Sequence, residues 1–276
     1  MIKSLVIPAA GYGTRVRSIT HGGHKELLSI MGKPAIQHVV YAALGVGIKN
    51  IVIIIRNGKE DIEKYFSDIK LANNLFPAAV EDLKEILERS SIKFVYQRLP
   101  KGECDAIYCA RNTVDSKPFL VIYPDNFIYP YPTALNLILK LFKIYNCDII
   151  GLKNVTQEML ENKMAARIEL ERFSEKCWKI KSLSNKNHAV NKKKSMYSTS
   201  LAVSGIYIAK PHYFDFIEMG LKQKIKGELT DHIVRNLMLD HGIPFLGIHL
   251  PGHFFDIGSP EGYMGYKKHY EMLKGF

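Results

Sequence analysis

The most informative stretch of the sequence is Val6-Ile7-Pro8-Ala9-Ala10-Gly11-Tyr12-Gly13-Thr14-Arg15. Lys25 follows Arg15 by ten positions. An apolar strand runs into a loop of small residues, and the loop ends near two positive side chains, Arg15 and Lys25. Glycine and alanine let backbone N–H groups approach an anion closely, and a guanidinium can then bind its oxygens. The pattern favours a loop that holds the phosphates of a nucleotide.

Other glycine-rich phosphate loops fit the chain less well. A dinucleotide fingerprint needs a third glycine after Gly13, which is absent. A Walker loop needs Gly-Lys-Ser/Thr, but Lys33 is followed by proline and Lys59 by glutamate. A glycine pair after a strand also occurs in ordinary tight turns, so the loop alone leaves that alternative open.

The composition is that of a globular protein with a basic surface. The 276 residues are 47% hydrophobic and 24% charged, which is enough to bury a substantial core. Part of the net charge of +11 lies in a lysine-rich segment, 179–194, with few aromatic residues around it, so a nucleic-acid partner is not expected. The sequence has no apolar run long enough to span a membrane and no signal-peptide pattern. The four cysteines show no pairing pattern, which indicates free thiols and a cytoplasmic location.

Apolar runs alternate with helical patterns through the first half of the chain. The predicted strands are Ser4–Pro8, Asn50–Ile55, Lys93–Tyr96, Phe119–Tyr123 and Asp148–Leu152. The predicted helices between them are Ala35–Leu44, Glu60–Phe66, Ala79–Arg89, Glu103–Asn112 and Tyr131–Ile144. Nearly continuous apolar strands are typical of a parallel sheet that is buried on both faces. Ligands bind at the carboxyl ends of such strands, where the loop after Pro8 and the turn at Asp125 are both expected.

The second half predicts an α+β portion. Its strands are expected at Ala166–Leu170, Trp178–Leu183, Leu201–Ala209 and Phe245–Leu250, and its helices at His212–Met219, Thr230–Leu239 and Pro260–Leu273. The polar stretch 184–199 predicts a mobile loop. The predicted fold is α/β and Rossmann-like, with a predominantly parallel mixed sheet flanked by helices and a fused, smaller α+β portion. A single domain is expected over 1–276, with halves at about 1–140 and about 141–276.

Two aspartates lie where a metal ion could be held. Asp125 follows a buried strand, and Asp256 lies between two phenylalanines and the start of the last helix. Mg²⁺ prefers one or two carboxylates together with phosphate oxygens, so a carboxylate facing a phosphate loop is a natural ligand. A turn aspartate at 125 and a helix-capping aspartate at 256 are the alternatives, and the two positions alone do not exclude them.

Taken in order, these motifs resemble those of the sugar-1-phosphate nucleotidylyltransferases (NDP-sugar pyrophosphorylases) over nearly the whole chain. The matching positions are Ala9–Arg15, Lys25, Lys33-Pro34, Gln97 with Gly102, Asp125, Gly205, Glu228–Asp231 and Asp256–Pro260. Within that family the chain most resembles the bacterial uridylyltransferases that act on glucose 1-phosphate.

The resemblance implies the nucleotide-diphospho-sugar transferase fold and a reaction between two phosphates. A sugar 1-phosphate attacks the α-phosphorus of a nucleoside triphosphate, and pyrophosphate leaves; Mg²⁺ is the implied cofactor. UTP and glucose 1-phosphate are the expected substrates. Thymidylyl transfer, another sugar 1-phosphate, cytidylyl transfer to a non-sugar phosphate and a non-catalytic homologue that binds nucleotide sugars stay open. Since relatives form dimers and tetramers, a homo-oligomer is open too, whereas nucleic acid and membranes are not expected partners.

The resemblance also implies roles for individual residues. It assigns catalysis to Arg15, Lys25 and Asp125, and nucleotide binding to Ala9, Ala10, Gly11, Gly13, Thr14, Gln97 and Gly102. It assigns sugar-phosphate binding, in the second half, to Lys192, Asn191, Gly205 and Glu228, and Mg²⁺ to Asp125 and Asp256.

Five positions depart from the family pattern. Asn191 replaces a glutamate that usually contacts sugar hydroxyls, and Ala166 stands for a glycine of the sugar pocket. Ser18 and His24 replace prolines, and Cys104 replaces a glycine. These changes leave the reaction type standing, but they leave the choice of base and sugar open.

Overall fold

The strands and helices of the computed structural model follow the alternation expected from the sequence. It describes residues 2–99, 101–155, 168–184, 200–223 and 227–274. Within these ranges the strands are β1 Ser4–Pro8, β2 Ser29–Ile30, β3 Lys33–Pro34, β4 Asn50–Ile55, β5 Ser91–Tyr96, β6 Phe119–Ile122, β7 Asn126–Tyr129, β8 Asp148–Asn154, β9 Ile168–Arg172, β10 Cys177–Leu183, β11 Leu201–Ala209, β12 Phe245–His249 and β13 His253–Asp256. The helices are α1 Arg17–Thr20, α2 Ala35–Gly45, α3 Glu60–Ser67, α4 Ile69–Leu75, α5 Val80–Arg89, α6 Glu103–Tyr108, α7 Tyr131–Tyr145, α8 His212–Lys222, α9 Asp231–Asp240 and α10 Pro260–Lys274. None of the helices in these ranges combines the length and apolarity that crossing a bilayer requires.

A large mixed sheet organises the described residues. Nine strands lie in the order β5-β4-β1-β6-β11-β8-β12-β10-β9. In this sheet β10 and β11 run opposite to the other seven, so the expected α/β fold with a predominantly parallel mixed sheet is confirmed. Strand β1 lies between β4 and β6. The loop after Pro8 and the turn at Asp125 therefore leave the sheet side by side.

Strand β1 shows why its sequence is continuously apolar. Leu5 and Ile7 are fully buried in the core that includes residues of α2, α7 and α10, while Val6 is fully buried in the core that includes residues of α6, α8 and α9. Successive side chains of a strand point to opposite faces, so a strand covered by helices on both faces has no polar side.

A short antiparallel ribbon outside the large sheet was missed by the sequence analysis. Strand β13 pairs with β7 so that Asp256 lies opposite Asn126. The Ile257 N–H also donates to the carbonyl oxygen of Asp125 at 2.9 Å. This pairing brings the segment around Asp256 to the carboxyl edge of the sheet.

Other predictions need smaller corrections. Helix α6 ends at Tyr108 rather than Asn112, and turns follow it. Helix α4 and the hairpin of β2 and β3 were not predicted, and β9 begins at Ile168 within the described residues. Residues 185–199 of the predicted mobile loop, and Ala166, lie outside the described residues.

Candidate active site

A cleft of about 950 Å³ opens at the carboxyl edge of the sheet. The residues predicted from sequence that line it are Ala10, Gly11, Gly13, Thr14, Arg15, Lys25, Gln97, Gly102, Asp125, Gly205, Glu228 and Asp256. Ala9 does not line it, because its side chain is fully buried in the core beneath the loop. Asn191 and Lys192 lie outside the described residues.

The glycine-rich loop forms one wall of the cleft. Gly13 has a φ of 63°, a left-handed conformation that favours glycine. The chain then turns through a short 3₁₀ helix, Thr14–Val16, which Val16 anchors by complete burial. The Arg15 side chain remains 57% exposed, so its guanidinium is available to a ligand in the cleft.

Lys25 and Asp125 form an ion pair at the centre of the cleft. Lys25 Nζ donates to Asp125 Oδ2 at 2.5 Å. Burial disfavours the charge on Lys25, but the carboxylates of Asp125 and Glu26 outweigh that effect, so the pKa of Lys25 is raised. Burial also disfavours the charge on Asp125, yet Lys25 and Arg15 outweigh it and lower the pKa of this carboxyl. Both groups are therefore charged at neutral pH.

Asp125 and Asp256 converge on Gly258. A Cβ placed on this glycine would lie 2.7 Å from Asp125 Oδ2 and 3.1 Å from Asp256 Oδ1. Arg15 Nη1 lies 3.6 Å from Asp256 Oδ2. Each carboxylate thus contacts one of the two cations through Oδ2, and Asp125 Oδ1 accepts a long hydrogen bond from Asn126 Nδ2 at 3.5 Å.

This pair of carboxylates suits a magnesium ion that is bound partly by phosphate oxygens better than a metal ion whose ligands all come from the protein. Among the described residues, no group of three or more histidine, cysteine, aspartate and glutamate side chains converges as a metal site. Two neighbouring carboxylates next to a phosphate-type loop match the preference of Mg²⁺ for a few carboxylates and for phosphate oxygens.

A buried ion pair supports both the glycine-rich loop and the segment that carries Lys25. Lys59 Nζ donates to Glu26 Oε2 at 2.8 Å and to the carbonyl oxygen of Ala9 at 2.7 Å. Lys59 is 2% exposed and Glu26 is fully buried. Burial lowers the pKa of Lys59, and Glu26 opposes this shift. One side chain thus joins the start of the loop, at Ala9, to the residue that follows Lys25.

Sequence reasoning missed this pair. Lys59 lies in a Gly-Lys-Glu turn and was considered only as part of a Walker loop, which it does not form. Two charges buried together give no local signal, because the partners are distant in sequence.

Gln97 and Gly102 lie together at another end of the cleft. Gln97 Nε2 donates to the Gly102 carbonyl at 3.2 Å and to Asp105 Oδ2 at 2.7 Å. Gly102 has a φ of 118°, and a Cβ there would lie 2.6 Å from the carbonyl oxygen of Leu229. The glycine is required both for its conformation and for this close approach.

The cleft also contains acidic residues that the sequence analysis did not assign. Glu103 Oε1 accepts a hydrogen bond from the backbone N–H of Asp231 at 2.7 Å, at the start of α9. Burial, and then the Asp231 carboxylate, raise the pKa of Glu103 to about 7. Asp231 is itself bonded to Arg235, which is fully buried. The acidic Glu-Leu-Thr-Asp motif was the available signal, but it did not indicate that Glu103 lies beside it.

Gly205 leaves room for the side chain of Asn126, which lines the cleft beside the sheet. A Cβ at this position, where φ is 77°, would lie 2.8 Å from Asn126 Nδ2. Lys153 Nζ donates to Asn126 Oδ1 at 3.2 Å, so an amide and a lysine line this part of the cleft. Glu228 lies elsewhere in the lining, with its Cβ close to Gly102.

The α/β fold, with a glycine-rich loop, two cations and two carboxylates at the carboxyl edge of its sheet, is of the class that binds phosphates. Residues 4–272 match the family model described as nucleotidyl transferase. The chain belongs to this nucleotidyl transferase family.

Named relatives and solved structures agree with this assignment. The chain is 32% identical to the UTP–glucose-1-phosphate uridylyltransferase of Mycoplasma pneumoniae over 270 residues, 95% of this chain and 90% of the relative. It is 28% identical to the enzyme of the same name from Bacillus subtilis, over 95% of this chain and 89% of the relative. A solved structure of UDP-glucose pyrophosphorylase in complex with UDP-glucose superposes with a TM-score of 0.84 at 28% identity, over 99% of this chain and 100% of the other.

Proposed function

We propose that this protein transfers a uridylyl group from UTP to glucose 1-phosphate, forming UDP-glucose and releasing pyrophosphate. The observation that carries the proposal is the meeting of two cations, Arg15 and Lys25, with two carboxylates, Asp125 and Asp256, beside a glycine loop in one cleft. The names of the relatives, and the UDP-glucose bound in the similar solved structure, support this choice of substrates.

The chemistry requires no protein nucleophile. An oxygen of the sugar phosphate is already ionised and attacks the α-phosphorus, while the bond from that phosphorus to the bridging oxygen of pyrophosphate breaks. The main obstacle is to bring two polyanions together in line, so positioning and charge neutralisation supply the rate enhancement. In this proposal the loop N–H groups and Arg15 hold the triphosphate, and Lys25 stabilises charge around the α-phosphate.

Asp125 and Asp256 would hold Mg²⁺ through their carboxylate groups. When bound there, the ion would neutralise phosphate oxygens of both substrates. Asp125 has a second role that needs no metal, since it holds the Lys25 ammonium in the cleft through the 2.5 Å contact. As the substrates bind, their phosphates would replace the carboxylates as the partners of Lys25 and Arg15.

The remaining lining residues divide between base and sugar. Gln97 and Gly102 would contact the base, while Gly205, Asn126 and Lys153 would face the sugar phosphate, together with Lys192 and Asn191. Glu228, expected to bind the sugar phosphate, lies beside Gly102 and is therefore proposed to contact the nucleoside. The nucleotide-binding half, about 1–140, and the sugar-phosphate half, about 141–276, would share the cleft as one domain.

The test is pyrophosphate release with Mg²⁺ across UTP, dTTP, CTP, GTP and ATP, each against several sugar 1-phosphates. Asp125→Ala should abolish release. The matched control is Asp115→Asn, at an exposed aspartate that does not line the cleft and whose φ of 51° suits asparagine. Release that is highest with UTP and glucose 1-phosphate supports the proposal. Highest release with another pair overturns the substrate assignment, and no release with any pair overturns the activity.

A further inference from the structure

The orientation of the Gln97 side-chain amide is set by its neighbours. Gln97 is 3% exposed, and its backbone N–H donates to the carbonyl of Ile55 at 2.8 Å, which fixes the residue at the end of β5. Its Nε2 lies 2.7 Å from Asp105 Oδ2 and 3.2 Å from the Gly102 carbonyl oxygen. The two hydrogens of the amide are thus directed at two different acceptors.

The chemistry of these neighbours excludes the flipped amide. A carboxylate and a backbone carbonyl can only accept hydrogen bonds. If the amide were rotated, Gln97 Oε1 would face both acceptors, and its hydrogens would lose both partners. Asp105 and Gly102 together therefore fix which end of the amide carries the nitrogen and which carries the oxygen.

Gln97 lines the cleft, and because both hydrogens of Nε2 are engaged, the group that it has left for a ligand is the acceptor Oε1. Uracil carries a donor, N3–H, at the middle of its pairing edge, whereas cytosine carries an acceptor, unprotonated N3, at the same place. A fixed acceptor pairs with the first base and opposes the second. A free amide could rotate and pair with either.

We propose that Asp105 is a specificity-determining residue that holds the Gln97 amide in the orientation which accepts uracil and rejects cytosine. Asp105 is a positioning residue here, since it acts on the base through Gln97. The inference rests on the proposed function, in which Gln97 contacts the base of UTP.

The experiment compares kcat/KM for UTP and CTP, with glucose 1-phosphate as acceptor, in the wild type and Asp105 variants. In Asp105→Asn the new side-chain amide can either accept from Gln97 or donate to it, so only the longer contact to the Gly102 carbonyl, at 3.2 Å, still opposes the flipped orientation. The UTP-to-CTP ratio should fall at least about tenfold, since a mismatched buried polar pair is worth a factor of this order or more. Asp105→Glu keeps a carboxylate and should retain the preference within about threefold by the same reasoning. Asp115→Asn, which removes an exposed carboxylate, should leave the ratio unchanged.

The outcomes separate this inference from the proposed function. If the wild type forms UDP-glucose but Asp105→Asn lowers kcat/KM for UTP and for CTP by the same factor, the inference is overturned and the proposed function stands. If the wild type uses UTP and CTP equally well or prefers CTP, the proposed orientation is overturned at once. If the wild type uses no nucleotide with glucose 1-phosphate, the proposed function fails; the relative binding of UTP and CTP, measured calorimetrically without acceptor, then decides whether Asp105 sets base preference.

A second variant keeps the test decisive should Asp105→Asn not fold. Asp105→Ala removes the acceptor without adding a donor, and it should likewise reduce the ratio of UTP to CTP affinity measured by calorimetry. An unchanged affinity ratio in a folded Asp105→Ala protein contradicts the inference.

Discussion

Replacing Lys59 by methionine should destabilise the fold far more than the loss of one hydrogen bond. Lys59 is 2% exposed and is bonded to Glu26 Oε2 and to the Ala9 carbonyl. Methionine has a similar length and fills the same space, so little volume is lost. What the variant removes is the positive charge, which leaves a fully buried Glu26 carboxylate without its ion-pair partner.

The magnitude follows from that uncompensated charge. Removing one partner of a buried ion pair typically costs about 3–5 kcal/mol of unfolding free energy. For a domain of 276 residues, this corresponds to a fall in Tm of about 5–9 °C. Because Lys59 also holds Ala9, the phosphate loop should lose order, and the KM for the nucleotide should rise in the protein that remains folded.

Two variants provide the controls for the urea-unfolding assay. In the double variant Lys59→Met with Glu26→Leu the orphaned charge is gone, so stability should rise above that of Lys59→Met, with a remaining cost of about 1–3 kcal/mol for the Ala9 carbonyl that has lost its donor. Lys84→Met breaks an exposed pair with Glu81, at 2.8 Å, and should cost less than about 1 kcal/mol. Two results would show that the unpaired Glu26 charge is not the cause. Lys59→Met would unfold at the same urea concentration as Lys84→Met, or the double variant would be no more stable than Lys59→Met.

Three further predictions concern the rest of the cleft. Because the pKa of Glu103 is raised from 4.5 to about 7, its neutral form stabilises the fold at low pH, and this contribution is lost as the pH rises through 7. Glu103→Gln keeps the acceptor for the Asp231 N–H but carries no charge, so it should be more stable than the wild type at pH 8 by about 2 kcal/mol but not at pH 4. The measurement is urea unfolding in EDTA. An equal difference in unfolding free energy at both pH values contradicts the raised pKa of Glu103. Gly102→Ala should cost about 2–4 kcal/mol, because its Cβ would meet the Leu229 carbonyl at 2.6 Å in a left-handed conformation. Gly47→Ala, with a φ of 86° and no described atom within 4 Å of the new Cβ, should cost only about 1 kcal/mol, and equal costs in thermal unfolding would exclude the clash. Arg15→Met should lower kcat/KM at least about 100-fold while changing the unfolding free energy by less than about 0.5 kcal/mol, since the side chain is 57% exposed. Arg172→Met, at an exposed arginine that does not line the cleft, is its control, and similar activity in both variants argues against a role for Arg15.

The sequence predicted those parts of the site whose elements are continuous and strongly patterned. The apolar run of β1 and the apolar run before Asp125 both indicated buried parallel strands. Such strands end at one edge of a sheet, so the proximity of Lys25, Arg15 and Asp125 could be inferred before their distances were known.

Contacts between distant short segments were not predictable in the same way. Asp256 meets Asp125 because β13 pairs with β7, two strands of four residues each. Short runs such as Phe127-Ile128 and Phe254-Phe255 show no clear period, and nothing local indicates that they pair with each other. The family resemblance suggested a shared metal site, but the ribbon that brings the two carboxylates together had no signal of its own.

Burial of charge was the other feature that local patterns could not predict. Lys59 and Glu26 are polar by type and lie in glycine-containing or 3₁₀ segments, where exposure is the usual outcome. The Ala9 side chain packs into the core beneath the loop and its carbonyl accepts from Lys59, so the part of Ala9 in nucleotide binding stays a prediction.

The central claim is that the sugar phosphate itself attacks the α-phosphorus. The most direct test is to supply glucose 1-phosphate labelled with ³²P, together with unlabelled UTP and Mg²⁺, and to separate the products. If the sugar phosphate attacks, all of the transferred label should appear in UDP-glucose, with an equal amount of unlabelled pyrophosphate. Pyrophosphate released without labelled UDP-glucose, or label appearing in the pyrophosphate, would contradict it.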